Sequence, residues 1–154
     1  MANVALSEPI AVPPEHVFAF FVPQRMPYWY GVEIDSQFEV PGCAAAFAVG
    51  SKVNISGSVG GRIVSHTAFV TAFEYPRLLE WRFEDVHGVR GRERWELDRV
   101  AGPQGAGTVV RFTTDYVLPG FIGRVVDYLV TRHAVARRSR EYLQRLARLA
   151  EHRA

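Results

Sequence analysis

The sequence predicts an α+β domain in which a curved antiparallel sheet of about six to seven strands wraps a long C-terminal helix. Segments that alternate between apolar and polar residues follow one another with short turns between them, which is typical of an antiparallel meander. Roughly 30 residues of helical pattern follow the break at Pro119-Gly120. One long amphipathic helix is the natural cover for the concave face of such a sheet.

The N-terminal part predicts one strand and two short helices. Val4 to Val12 alternates moderately and predicts the first strand. Pro13-Pro14-Glu15 suits a helix start, because proline is tolerated in the first turn and an acidic residue there matches the helix dipole. This helix must end near Pro23, and Pro27 limits the segment Gln24 to Tyr30 to a short helical turn.

The middle of the chain predicts the remaining strands. Val32 to Val40 alternates cleanly and predicts a half-buried strand. Turns are expected at Glu74 to Arg77 and at Gly102 to Gly107. The other predicted strands span 52–59, 66–73, 78–83, 89–98 and 108–118.

Composition indicates a globular protein with an ordinary core. The chain has 154 residues, of which 48% are hydrophobic and 22% charged. Cys43 is the only cysteine, which excludes an internal disulfide and a multi-cysteine metal site. No Lys or Arg precedes Arg25, and no apolar run approaches the roughly 20 residues of a membrane span. We therefore expect a cytoplasmic protein without integral membrane association.

Charge is distributed unevenly along the chain. The formal net charge is +2, yet eight Arg and only three acidic residues follow Pro119. The Arg-rich outer face of the terminal helix would suit an acidic partner, which makes a protein-interaction module one possible function. Exposed Arg on a terminal helix more often serves solubility. No aromatic residue lies among the Arg of this outer face, so we expect no nucleic-acid binding.

Several short motifs together carry a family resemblance. They are Val12 to Phe18, Met26 to Trp29, Phe73 to Trp81, Gly107 to Val110 and Leu143 to Leu146. In these segments the sequence resembles the START/Bet v 1-like (SRPBCC) superfamily, and within it the bacterial polyketide cyclase/dehydrase and lipid-transport proteins. The resemblance implies one helix-grip domain over residues 1–154 with a hydrophobic cavity between sheet and helix. It implies no particular reaction, because fold does not determine function.

Two charged residues stand out on faces expected to point inward. Glu93 shares a strand side with Trp95 and Leu97, and Arg132 falls within the apolar stripe of the terminal helix. A buried charge needs a partner, because its removal from water costs several kcal/mol. We therefore hypothesise that Glu93 and Arg132 meet across the cavity, directly or through a ligand. The alternative is that a bulge turns Glu93 outward, or that Arg132 lies beyond the edge of the sheet.

Two histidines and a tyrosine are further candidates. His133, at the edge of the stripe, and His66, at the start of a strand, would suit a general base, although a structural histidine is the more common case. Tyr116 shares a strand side with Phe112, where it would orient a ligand or fill volume. The residues expected to line the ligand site are Trp29, Phe38, Trp81, Glu93, Trp95, Phe112, Tyr116, Val125, Tyr128 and Arg132.

The leading functional prediction is non-covalent binding of a hydrophobic small molecule, such as a lipid, quinone, polyketide or aromatic metabolite. The rival is a cyclase or dehydratase in which Glu93 or a histidine moves protons while Arg132 or Tyr116 stabilises an enolate. The sequence has no nucleophile elbow, paired-histidine zinc motif or phosphate-binding loop. We therefore expect neither a metal nor another cofactor, and the oligomeric state is left open.

Overall fold

The computed structural model describes residues 2–85, 88–118 and 132–152. Seven β-strands form one sheet, and the described helices are a short α1 near the N-terminus and a long α2 at the C-terminus. Three 3₁₀ turns span Met26–Tyr28, Val32–Ile34 and Pro41–Cys43. The helices and strands are β1 (Ala2–Ile10), α1 (Pro14–Phe18), β2 (Gln37–Glu39), β3 (Lys52–Val59), β4 (Arg62–Glu74), β5 (Leu78–Asp85), β6 (Arg90–Gly102), β7 (Gly105–Val117) and α2 (Arg132–His152).

The sheet is an antiparallel meander closed at one side by the first strand. Its order is β1-β7-β6-β5-β4-β3-β2, so β2 to β7 are neighbours in sequence and β1 pairs with β7. Leu6 of β1 lies opposite Phe112 of β7. The predicted fold class, a curved antiparallel sheet with a C-terminal helix and short helices after the first strand, is confirmed.

Side chains on the inner face align in rows that cross several strands. In one row Trp81 of β5 lies opposite Glu93 of β6, which lies opposite Thr114 of β7. The next row contains Phe83, Gly91 and Tyr116. Such rows follow from the register of antiparallel pairs, in which opposed residues point to the same face.

Helix α2 completes the hydrophobic core. Leu143 is 2% exposed and Leu146 is fully buried, and both pack in the cluster that contains the tryptophans. The buried residues of α2 recur with helical spacing, as the predicted apolar stripe requires. They are Ser139, Leu143, Leu146, Ala147 and Ala150.

The strand predicted from Val32 to Val40 is wrong over most of its length. A 3₁₀ turn occupies Val32–Ile34, and only Gln37–Glu39 pairs as a strand. Gly31 and Asp35 flank the turn in left-handed conformations, with φ of 69° and 50°. Ile34 then packs where Gly57 of β3 has no side chain, at a point that an added Cβ would overlap. This close approach outweighs the local alternation.

Candidate functional site

The candidate site is centred on a carboxyl group on the inner face of β6. Glu93 points to the same side as Trp95, which is 1% exposed. Its cross-strand neighbours are Trp81, fully buried, and Thr114, 3% exposed. The chain thus places a half-buried ionisable group among large aromatic side chains, which is unusual because carboxylates are mostly exposed to water.

Two hydrogen bonds hold the carboxyl. The Tyr30 hydroxyl donates to Glu93 Oε1 at 2.7 Å, and the Trp81 indole N–H donates to the same oxygen at 2.8 Å. Burial raises the pKa of Glu93, while these two bonds and the positive charge of Arg138 act in the opposite direction. Because both donors reach Oε1, a proton on this carboxyl would reside on Oε2.

A locally constrained segment positions Tyr30. Its backbone N–H bonds to the Met26 carbonyl at 2.7 Å, and its own carbonyl accepts a bond of 2.6 Å from the Ser36 hydroxyl. Gly31 follows in the left-handed region, and a Cβ there would lie 2.8 Å from Ser36 Cβ. The segment therefore needs glycine at this position to turn the Tyr30 side chain toward Glu93.

Edge-to-face aromatic packing surrounds the carboxyl. The rings of Trp81 and Trp95 lie 5.0 Å apart at 80°, and the Tyr30 ring lies 5.7 Å from Trp81 and 5.9 Å from Trp95. Such geometry is the favoured one for aromatic pairs. It gives the site a rigid wall on the sheet side.

Helix α2 contributes a tyrosine and an arginine. The Tyr142 ring lies 5.1 Å from that of Tyr30, and its hydroxyl donates to Glu33. Arg138 is one helical turn before Tyr142, so the two lie on neighbouring positions of one helix face. The Arg138 charge acts on Glu93 and on both tyrosines.

The structure does not bring Arg132 to Glu93. Arg132 is exposed, and it is not among the groups that act on the Glu93 carboxyl. It shares a helix face with the buried Ser139 seven positions later, so the predicted phase is correct. The position of Arg132 along the helix axis differs from the prediction, because this residue lies two turns before the buried part of the helix.

The two candidate histidines lie in different environments. His133 is exposed on α2. His66 is half-buried on β4 opposite Asp85, with its ring 6.0 Å from that of Phe83. Burial lowers the pKa of His66 to about 4, and Asp85 only partly offsets this. The imidazole is therefore neutral at pH 7.

The other residues predicted to line the site are mostly in the core. Trp29, Phe112 and Tyr116 are buried, and Phe38 is half-buried with its ring 5.8 Å from Tyr30. Val125 and Tyr128 lie outside the described residues. Sequence reasoning missed Tyr30, Arg138 and Tyr142. Tyr30 had one signal, its place in the aromatic run Tyr28-Trp29-Tyr30.

The same described ranges lack two features, a metal-binding cluster and a membrane-spanning helix. No group of three or more His, Cys, Asp or Glu residues in them has the geometry to hold a metal ion. No helix in them is long and apolar enough to cross a membrane.

Comparison with known proteins places this arrangement in a family. The sequence profile of the polyketide cyclase/dehydrase and lipid-transport family matches residues 1–151. The chain belongs to this family. Its members share the SRPBCC-type fold that the sequence motifs indicated. Among curated proteins none matches the sequence.

Solved structures support the family fold at low sequence identity. Protein MLL2253 from Mesorhizobium loti is 18% identical, with 98% of each chain covered and a TM-score of 0.68. A protein from Arthrobacter aurescens is 16% identical, with 97% of this chain and 86% of that chain covered and a TM-score of 0.72. Ara h 8.0201, a Bet v 1-like protein, is 12% identical, with 97% of each chain covered and a TM-score of 0.67. At these identities the likeness establishes the fold alone.

Proposed function

We propose that the protein binds a hydrophobic small molecule between the inner face of the sheet and helix α2, with Glu93 at the polar end of the site. The observation that carries this proposal is the Glu93 carboxyl among Tyr30, Trp81 and Trp95. It forms no ion pair with any of the described residues. A carboxyl in such surroundings costs folding free energy, so stability alone does not account for it.

The row beside Glu93 extends the wall of the proposed site. It consists of Phe83, Gly91 and Tyr116, and β7 packs so closely on Gly91 that an added Cβ would lie 2.9 Å from Tyr116 Cβ. The aromatic wall supplies affinity by burying apolar ligand surface, at roughly 25 cal/mol per Å² before association costs are deducted. A lipid, quinone, polyketide or aromatic metabolite would meet these requirements.

Glu93 Oε2 is the atom proposed to orient the ligand. In the protonated carboxyl it donates to a ligand carbonyl, and in the carboxylate it accepts from a ligand hydroxyl. Tyr30 stays a donor throughout, because burial and the nearby Glu93 hold its pKa well above the usual value. The site thus combines an apolar body with one directional polar contact, as small-molecule sites commonly do.

Native mass spectrometry of gently purified protein, followed by denaturing extraction, tests the proposal. The wild-type protein is expected to carry a stoichiometric hydrophobic compound. Glu93→Leu should lose most of it, because leucine offers the ligand neither a hydrogen-bond donor nor an acceptor. Glu39→Gln, an exposed glutamate on β2, serves as the control and should retain it. An empty wild-type protein that gains no thermal stability from lipids, quinones or polyketides would contradict the proposal.

The raised pKa of Glu93 favours a second candidate, acid–base catalysis in a cyclase or dehydratase reaction. A carboxyl that holds its proton at higher pH is a better general acid near neutrality. With the extracted compound or its precursors as substrate, Glu93→Gln would lower kcat by about a hundredfold or more. If the wild-type protein binds the compound but does not convert it, the binding function remains and the catalytic function is excluded.

A further inference from the structure

A depression lies on the opposite face of the sheet from Glu93. It has a volume of about 610 Å³ and is lined by residues of β4 to β7. Arg82 and Arg92 line it, and they alternate along their strands with the inward-facing Trp81 and Glu93. Strand neighbours point to opposite faces, so the depression opens on the outer face. Phe83, Gly91 and Tyr116 also border it, although the side chains of Phe83 and Tyr116 point to the inner face.

Two like charges face each other across this depression. Arg82 of β5 lies directly opposite Arg92 of β6, an arrangement that is destabilising between cross-strand neighbours. Arg92 is bound by Asp115 at 2.8 Å. Arg82 forms no ion pair with any residue in the described ranges, and its guanidinium lies 5.7 Å from the centre of the Phe69 ring. The guanidinium of Arg82 is therefore available to bind an anion.

Three acidic residues line the depression, and one of them, Asp115, pairs with Arg92 as described above. Glu80 accepts bonds of 2.8 Å from both Arg94 and Thr71. Glu84 lies opposite a third cation of the depression, Arg90. A small anion can therefore approach Arg82 without displacing an ion pair of the described residues, and it would share Arg92 with Asp115.

The same depression has an apolar component. Phe69 is 37% exposed, which is high for an aromatic side chain on a strand. Val117 and the aliphatic stem of Arg82 add further carbon surface. A planar aromatic body beside Phe69 would bury this surface, while a carboxylate attached to it would reach the two guanidinium groups.

We propose that this outer depression binds a small aromatic carboxylate, with its ring against Phe69 and its carboxylate between Arg82 and Arg92. The site is separate from the inner site and independent of the function proposed for it. A carboxylate between the two arginines offsets their repulsion, and the planar guanidinium groups match its two oxygens.

Isothermal titration with 2-naphthoate, with amide shifts followed by NMR, tests this proposal on the whole chain. Saturable binding is expected, with shifts on β5 and β6 around Arg82 and Gly91. The uncharged 2-naphthamide should bind about tenfold more weakly, since it lacks the charge-assisted contact. Arg82→Gln should weaken naphthoate binding by a similar factor, and Phe69→Ala by about threefold.

Two control variants separate this site from others. Arg77→Gln removes an exposed arginine that pairs with Glu74 in the β4–β5 turn and does not line the depression, so naphthoate affinity should not change. Glu93→Gln should also leave it unchanged. The proposal would be overturned if Arg82→Gln did not alter the affinity for naphthoate. It would also be overturned if Glu93→Gln lowered that affinity. So would a failure of naphthoate to saturate at millimolar concentration.

Discussion

At the residue scale, two ionisable side chains lie on the inner face of the sheet, the carboxyl of Glu93 and the imidazole of His66. Burial favours the neutral form of each. Burial raises the pKa of Glu93 and lowers that of His66, because each loses hydration of its charged form. The positive charge of Arg138 opposes the shift of Glu93 and reinforces that of His66. The cation on α2 therefore influences both groups from across the site.

Replacing Arg138 tests which arginine acts on Glu93. In Arg138→Gln the pKa of Glu93 should rise further, because a positive charge that favours the carboxylate is removed. Arg132→Gln is the matched control on the same helix and should leave the pKa unchanged. Carboxyl carbon NMR titration of the variants measures both. Equal shifts in the two variants would show that the effect is a general one of net charge.

His66 should make the stability of the fold depend on pH. Its pKa is about 4 in the folded protein against an ordinary value of 6.5, so the unfolded chain binds the proton more readily. The free energy of unfolding should therefore have its full value above about pH 6.5. It should fall by at most about 3 kcal/mol as the pH drops toward about 4.

A variant comparison isolates this contribution from that of the carboxylates. In His66→Gln the stability loss between those two pH values should be smaller, as measured by urea unfolding. His16→Gln removes an exposed histidine and should follow the wild type. Identical pH profiles for all three proteins would show that His66 titrates normally.

At the scale of elements, the segment between α1 and β2 connects the site to the sheet. Tyr30 reaches Glu93 from one side of Gly31, while Ile34 packs on Gly57 of β3 from the other. Tyr142 of α2 donates to Glu33 within the same 3₁₀ turn. The sheet, the turn and the terminal helix therefore meet at this short segment.

Gly57→Ala should disrupt that contact. The added Cβ would lie 2.4 Å from the Ile34 carbonyl oxygen and 2.7 Å from Ile34 Cγ1, so the 3₁₀ turn must move. We expect a loss of about 1–3 kcal/mol in the free energy of unfolding, by urea denaturation. Ser58→Ala changes the exposed neighbour and should have little effect. A Gly57→Ala protein as stable as the wild type would mean that the turn adapts without cost.

At the scale of the whole molecule, one core joins the first strand to the last helix. The strand β1 closes the meander on β7, and Leu143 and Leu146 of α2 pack in the same cluster as the three tryptophans. Trp29, Trp81 and Trp95 are each at most 1% exposed. Their rings lie within 6.1 Å of one another along the path Trp29–Trp95–Trp81.

This shared core predicts cooperative unfolding. Tryptophan fluorescence should shift to longer wavelength in the same urea transition in which far-UV circular dichroism loses its sheet and helix signal. Coincident curves are expected because the tryptophans connect the N-terminal segment with β5 and β6. A fluorescence change that precedes the dichroism change would show that the N-terminal segment opens separately.

Local periodicity alone was sufficient to predict the fold class and to predict which residues of the sheet face the site. The alternation around Trp95 placed Glu93 on the inner face, and the 3.6-residue stripe placed Leu143 and Leu146 in the core. It failed between Val32 and Val40, because the alternating pattern there competes with a close approach to Gly57 that lies far along the chain.

What the sequence by itself determined was which face of each strand or helix is apolar, since that depends on residues a few positions apart. Only the tertiary structure decided the partners of Glu93. Tyr30 is 63 positions away from it, and Arg138 rather than Arg132 supplies the nearby cation. The outer depression is likewise a product of the register, which sets Arg82 opposite Arg92. Such contacts depend on strand pairing and on how far along its axis a helix meets the sheet, and neither is encoded in a local period.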